Sequence, residues 1–289
     1  MKSILVFVSG QSLDHGILKT AFAAARPLSA HIRFLHIRMS ATQIVTRMPH
    51  SAYASGHALV ETLGQLDNET KKCSMTAAQE VREFCADSMI EICENPVATS
   101  NVTASWHEEQ DSDALERSMF HARHNDLIVA TRRHKTSILP YDFLELLVIG
   151  CGRPVLVVGS NPVETLTSTI LVCWRETPEA ARAVSAAMPL LKRARRVILA
   201  SVDEKNGSAK SALSEVVRQL ALNDVGAEIQ VIVPEKRRTE EALTAAARDC
   251  DANLIVMGAY GHSRARELIF GGCTQAFIDA AEKPILFMH

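Results

Sequence analysis

The residues best suited to chemistry lie late in the sequence, in Gly258-Ala-Tyr-Gly261 and, after nine intervening residues, in Gly271-Gly272-Cys273-Thr274. Glycine enters backbone regions closed to other residues, so such a stretch turns sharply and can aim several N–H groups at one point. If a helix starts at the second cluster, its first N–H groups have no partner inside the helix and carry partial positive charge. A backbone of this kind suits an anion, above all a phosphate. His262, Arg264 and Arg266 lie between the clusters, where their charge would help neutralise it. A lone Gly-x-x-Gly fits a plain strand-to-helix turn equally well, so the surroundings must decide.

An apolar run, Leu254 to Met257, precedes the first glycine, and Lys283-Pro284-Ile285-Leu286-Phe287 follows a helical stretch after the second cluster. Both runs read as buried strands. They have counterparts earlier in the chain. Ser3-Ile-Leu-Val-Phe-Val8 matches Thr169-Ile-Leu-Val-Cys-Trp174, Asp126-Leu-Ile-Val-Ala130 matches Asn253-Leu-Ile-Val-Met257, and Arg153-Pro-Val-Leu-Val-Val158 matches Lys283-Pro-Ile-Leu-Phe-Met288. The order is the same in both halves, which marks a tandem duplication of an alternating β/α unit. Residues 159–168, rich in turn formers and without a period, link the two copies.

In the first half the pattern predicts strands near 3–8, 31–37, 102–106 and 127–131, with helices at about 13–26 and 112–124. From Ile4 to Leu127 is 123 positions and from Ile170 to Leu254 is 84, so the first half carries 39 more. These hold an irregular segment from Met39 to Ser55 and a long helix from about His57 to Cys93, stopped by Glu94-Asn-Pro96. The second half reads as helices near 178–191, 209–222 and 239–250 alternating with strands near 196–202, 227–233 and 254–258. Thr177 before Pro178 is a suitable cap for the first of these helices.

With 289 residues and a formal charge of −2, the chain has room for two domains and no electrostatic footprint for nucleic acid. No apolar run is long enough to span a bilayer. The run Ile4 to Val8 is too short for the core of a secretion signal, so a cytoplasmic location is expected. Seven cysteines without close pairing fit reduced, buried thiols better than a disulfide framework or a zinc site.

The spacing Gly-x2-Gly-x9-Gly, flanked by these strands, resembles the universal stress protein family, in which the motif ends in Gly-Ser or Gly-Thr and wraps the phosphates and ribose of ATP. The resemblance covers nearly the whole chain as two copies in tandem: residues 1–159 as a degenerate domain with a long inserted helix, 160–168 as linker, and 169–289 as the domain that keeps the glycines. It implies an α/β fold of two doubly wound, parallel five-stranded sheets, Rossmann-like and of the adenine nucleotide alpha hydrolase-like kind, packed by their last strands. It also implies one site for ATP or another adenine nucleotide, with Mg2+ accompanying ATP. That site would comprise Gly258, Gly261, His262, Arg264, Gly271, Gly272, Cys273 and Thr274, with Arg175 and Val202 at neighbouring strand ends. Gly272 stands where the family has Ser or Thr, and Thr274 is placed to supply the missing hydroxyl. Arg175, and Ser9 in the first half, stand where ATP-binding members have Asp. Thr131 and His134 replace the first two glycines in the first half, and that loop is three residues shorter.

Other chemistry finds little support. His121 and His124 have helical spacing for two metal ligands but no third nearby, and no hydrolase elbow surrounds Ser263. Acidic pairs at Glu108-Glu109 and Asp111/Asp113 suit a helix start, and the cationic run Arg132 to Lys135 suits a solvated turn. No catalytic or metal-binding residues are therefore assigned. Three functions stay open: a nucleotide-responsive stress protein, a nucleotide-free interaction protein of the same fold, and a slow ATPase. Pairing of the two halves within one chain is expected, and the apolar stripe of helix 57–93 offers a surface for a homodimer.

Overall fold

Apolar runs and helical repeats alternate along the chain much as the sequence predicts. The computed structural model describes residues 1–10, 14–47, 57–111, 114–132, 142–159, 161–203, 208–234, 237–260, 272–280 and 282–289. Gly261, His262, Arg264, Arg266 and Gly271 lie outside the described residues, as do Arg133, His134 and Lys135. The first half runs β1 (Ser3–Phe7), α1 (Asp14–Ala25), a 3-10 turn (Arg26–Leu28), β2 (His31–Met39), α2 (Ala41–Arg47), α3 (His57–Asp87), β3 (Glu91–Ile92), β4 (Thr103–Asp111), α4 (Ala114–Arg123), β5 (Leu127–Thr131), α5 (Phe143–Gly150) and β6 (Val155–Val158). The second runs β7 (Thr169–Cys173), α6 (Pro178–Leu191), β8 (Arg196–Val202), α7 (Ser208–Ala221), β9 (Glu228–Ile232), α8 (Thr239–Asp249), β10 (Leu254–Gly258), α9 (Gly272–Ala280) and β11 (Ile285–Met288).

The two five-stranded sheets expected from the sequence are one sheet of eleven strands, ordered β3-β4-β2-β1-β5-β6-β11-β10-β7-β8-β9. Neighbours are parallel except at the centre, where β11 runs antiparallel to β6 with Ile285 opposite Val157, Leu286 opposite Leu156 and Phe287 opposite Val155. The last strands thus meet as expected, and their pairing is what removes the boundary between sheets. Both strands are almost wholly apolar, and each satisfies the edge hydrogen bonds the other would leave bare. The sheet buries one core on each face. Val6, Phe34, Leu156 and Leu286 belong to one, and Leu5, Ile128, Phe277 and Phe287 to the other.

Three local features differ from the sequence reading. Residues 41–47 form a short helix where the sequence suggests none. The inserted helix ends at Asp87, six residues before the expected stop. There Ile90 N–H bonds the Cys85 carbonyl at 2.8 Å and Met89 N–H bonds that of Ala86 at 3.1 Å, with Met89 at φ 53°. That is a Schellman ending, usually signalled by glycine and here built on methionine. The linker is also no loose tether, since Leu166 is fully buried and Val163 N–H donates to Thr20 Oγ1 at 3.3 Å. Among the described residues no helix is long and apolar enough to cross a membrane.

Candidate functional site

The winding of the second half reverses between β7 and β10. From β7 the chain crosses by α6 to β8 on one side, whereas from β9 it crosses by α8 to β10 on the other. In doubly wound sheets the crevice for a ligand lies at the carboxyl ends of the strands at such a reversal. The register places Met257 beside Cys173 and Cys173 beside Ala200. Arg175, Val202 and Ala259 therefore lie at the same end of the sheet.

Gly258 closes β10 against the start of α6. A Cβ at this position would stand 2.6 Å from the backbone nitrogen of Ala180 and 2.7 Å from the carbonyl carbon of Glu179, so glycine is needed for the strand to meet the helix this closely. That first turn is capped by Thr177, whose Oγ1 accepts from Ala180 N–H at 3.3 Å. Glu179 on the same turn accepts from Arg182 at 2.7 Å. Sequence reasoning missed Glu179, and only the glycine facing it could have hinted at so close an approach.

Beyond Gly258 the chain stays pinned. Ala259 N–H donates to the Met288 carbonyl at 2.9 Å, and the Ala259 carbonyl accepts from His289 Nδ1 at 3.0 Å. Tyr260 has φ 57°, a left-handed conformation uncommon for a bulky residue, and its N–H donates to Thr274 Oγ1 at 3.4 Å. Thr274 is buried in the first turn of α9, so its hydroxyl ties the loop after β10 to that helix. Nothing in the sequence marked Tyr260 for this role. Gly272, Cys273 and Thr274 make up the first turn of α9, where N–H groups lack acceptors within the helix. Burial pushes the Cys273 thiol up to about 11, with Glu240 adding to the rise and Arg175 opposing it. Arg175, Cys273, Thr274 and Gly258 are thus brought to one end of the sheet. Gly261, His262, Arg264 and Gly271 lie outside the described residues.

The equivalent reversal in the first half, between β1 and β5, is built differently. The Asp14 carboxylate is buried and accepts from Ser9 N–H at 2.9 Å, from Ser9 Oγ at 3.0 Å and from Gly10 N–H. The inserted helix α3 comes down on Gly10 at Cys73. At the end of β5, Arg132 reaches across to donate to the Lys283 carbonyl at 2.9 Å. The other candidates resolve into structural roles. His121 is buried with Nε2 2.7 Å from Glu109 Oε1, and His124 Nδ1 donates to its own helix at Phe120. Among the described residues no three His, Cys, Asp or Glu side chains are grouped to hold a metal ion.

The model of the family described as Universal stress protein family matches residues 167–289. A search of the curated proteins finds no match. A universal stress protein from Archaeoglobus fulgidus is 13% identical and superposes with a TM-score of 0.67, covering 99% of this chain and 97% of its own. A putative universal stress protein from Pseudomonas aeruginosa is 18% identical with a TM-score of 0.58, covering 100% of this chain and 93% of its own. A functionally unknown protein from the same species is 16% identical with a TM-score of 0.55, covering 100% and 92%. At these identities the likeness establishes a shared fold over the whole length. The family itself is established for the second half, where residues 167–289 form a universal stress protein domain.

Proposed function

We propose that the chain is a tandem universal stress protein that responds to an adenine nucleotide, ATP or a close relative, bound once per chain in the second half. In this reading residues 1–159 are a degenerate copy with α3 as its insertion, 160–168 link, and 169–289 hold the site. The observation that carries it is the meeting of Gly258 with the first turn of α6 at the winding reversal. A strand end and a helix start are held there in close contact, beside a second helix start at Gly272 to Thr274. Phosphates would lie over that turn, with Gly258 and Gly261 on the ribose side, Val202 beneath the base and Gly271 completing the loop. Arg175, His262 and Arg264 would supply positive charge, and Mg2+ would accompany ATP.

A second reading, a nucleotide-free regulatory protein of the same fold, is favoured by one feature. Arg175 offers only donors where a carboxylate would accept from ribose or base, and the Thr274 hydroxyl already accepts from Tyr260. The two readings separate cleanly. Mass spectrometry of small molecules released from the denatured, freshly purified chain, followed by calorimetric titration with ATP, gives an adenine nucleotide and one site per chain in the first reading. Thr274→Val weakens that titration. No released nucleotide and no heat of binding would leave the second reading standing.

A further inference from the structure

The two outer edges of the sheet are treated very differently, although the strands nearest them, β4 and β9, hold the same place in their halves. The edge of β4 is partly closed by β3, which pairs Glu91 with Thr103 and Ile92 with Ala104. Its remainder carries Glu108 and Glu109, charges that discourage another strand. Among the described residues β9 has no strand beyond it in the sheet. Its sequence, Glu228-Ile-Gln-Val-Ile232, lacks lysine and proline, and Ile229, Val231 and Val233 beside it are 38%, 36% and 71% exposed.

The backbone fixes which groups are free to pair. Asp203 N–H donates to the Ile232 carbonyl at 2.9 Å, so Ile232 turns its peptide groups toward β8. In a parallel ladder alternate residues face opposite sides, which leaves Ile229, Val231 and Val233 turned outward. A groove of about 170 Å³ runs alongside, between β9 and α8. Its floor on the helix is Ala242, Ala245 and Ala246, small enough for close approach, and it ends in Arg237 at one side and Asp249 at the other.

We propose that this edge pairs with the same edge of a second copy of the chain, antiparallel about a two-fold axis through Val231. Ile229 then lies opposite Val233 of the second copy and Glu228 opposite Pro234, so no like charges face each other. Glu228 is already bound to Arg196, at 2.7 and 2.9 Å. The axis also lays α8 antiparallel to its mate and sets Arg237 of each copy against Asp249 of the other. Isologous contacts require this kind of self-complementarity, and the groove's oppositely charged ends supply it. The β6·β11 contact joins the two halves in the same antiparallel way, within one chain.

The test is sedimentation equilibrium of the full chain over a concentration series, with circular dichroism to confirm folding of each variant. The wild type sediments as a monomer–dimer equilibrium. Val231→Lys, Arg237→Asp and Asp249→Arg each raise the dissociation constant at least about tenfold, and the double variant R237D/D249R restores it, because both charges are exchanged together. A wild type that stays monomeric throughout the series overturns the proposal. So does a dimer indifferent to Val231→Lys, or a charge exchange without rescue, either of which would place the interface elsewhere or give the edge to a different protein.

Discussion

Gly10 and Cys73 meet backbone to backbone, 63 positions apart in sequence. Gly10 has φ 74°, and a Cβ there would stand 2.7 Å from the carbonyl carbon of Cys73. The inserted helix therefore rests on the turn after β1, at the winding reversal of the first half. Gly10→Ala should lower stability by roughly 2–4 kcal/mol, combining the cost of a left-handed alanine with that of a forced contact. Gly152 provides the control. It has φ 66° with no atom of the described residues, its chain neighbours aside, within 4 Å of an added Cβ, so Gly152→Ala should show the backbone cost alone, about 1 kcal/mol. Urea unfolding of both variants checks this, and equal losses would remove α3 from the account.

Gly258 separates packing from ligand contact. Because its Cβ would strike backbone atoms of Glu179 and Ala180, Gly258→Ala should destabilise the chain by about 1–3 kcal/mol without any ligand present. Thermal unfolding of ligand-free protein measures it. A variant of unchanged stability would mean that α6 shifts freely, and that the strand-to-helix contact is not what demands glycine.

Acid should act in two stages. Burial, with Arg33 and then His107, lowers His31 to about 4 from 6.5. The unfolded chain therefore binds the extra proton between these values, and stability falls as pH drops from about 6.5 to 4. Glu109 is held at about 2 from 4.5, chiefly by its hydrogen bonds from Arg117 and also by that from His121. Its contribution is complete above about 4.5 and disappears as pH falls toward 2. Urea midpoints measured from pH 2 to 7 should lose the upper stage in His31→Gln and the lower one in Glu109→Gln.

Much of this architecture was legible in the residues because buried parallel strands are uninterrupted apolar runs. Leu254 to Met257 and its counterpart Leu127 to Ala130 could be aligned by eye, and from that alignment came the expectation of a duplication. Local backbone chemistry was harder to read. The end of α3 rests on Met89 in a conformation that glycine usually announces, so a proline seven residues later drew attention instead. The end of the sheet at which Gly258, Arg175 and Thr274 come together was legible from the strand ends. The internal bonding there was not: Gly258, read as lining the ribose side of a ligand, is also required by the close approach of α6, while Thr274, read as a substitute hydroxyl, is bonded to Tyr260. Long-range contacts of that kind leave no periodicity in a sequence.

The antiparallel seam between halves offers the most demanding check. Leu156 and Leu286 stand opposite each other at its centre, both fully buried, one contributed by each half. Truncating either leaves a cavity in a core shared by both halves, so Leu156→Ala and Leu286→Ala should each cost about 2–5 kcal/mol. Because they are in contact, the double variant should depart from additivity by more than about 0.5 kcal/mol, whereas Leu156→Ala combined with Leu213→Ala, a buried site on α7 in the second half, should add. Amide exchange gives an independent reading. Backbone N–H groups of 155–157 and 285–287 should exchange with the slowest class in the protein, since their exposure requires the halves to part. Rapid exchange there, with additive leucine truncations, would mean that the halves are stable sheets in their own right and that the seam is incidental.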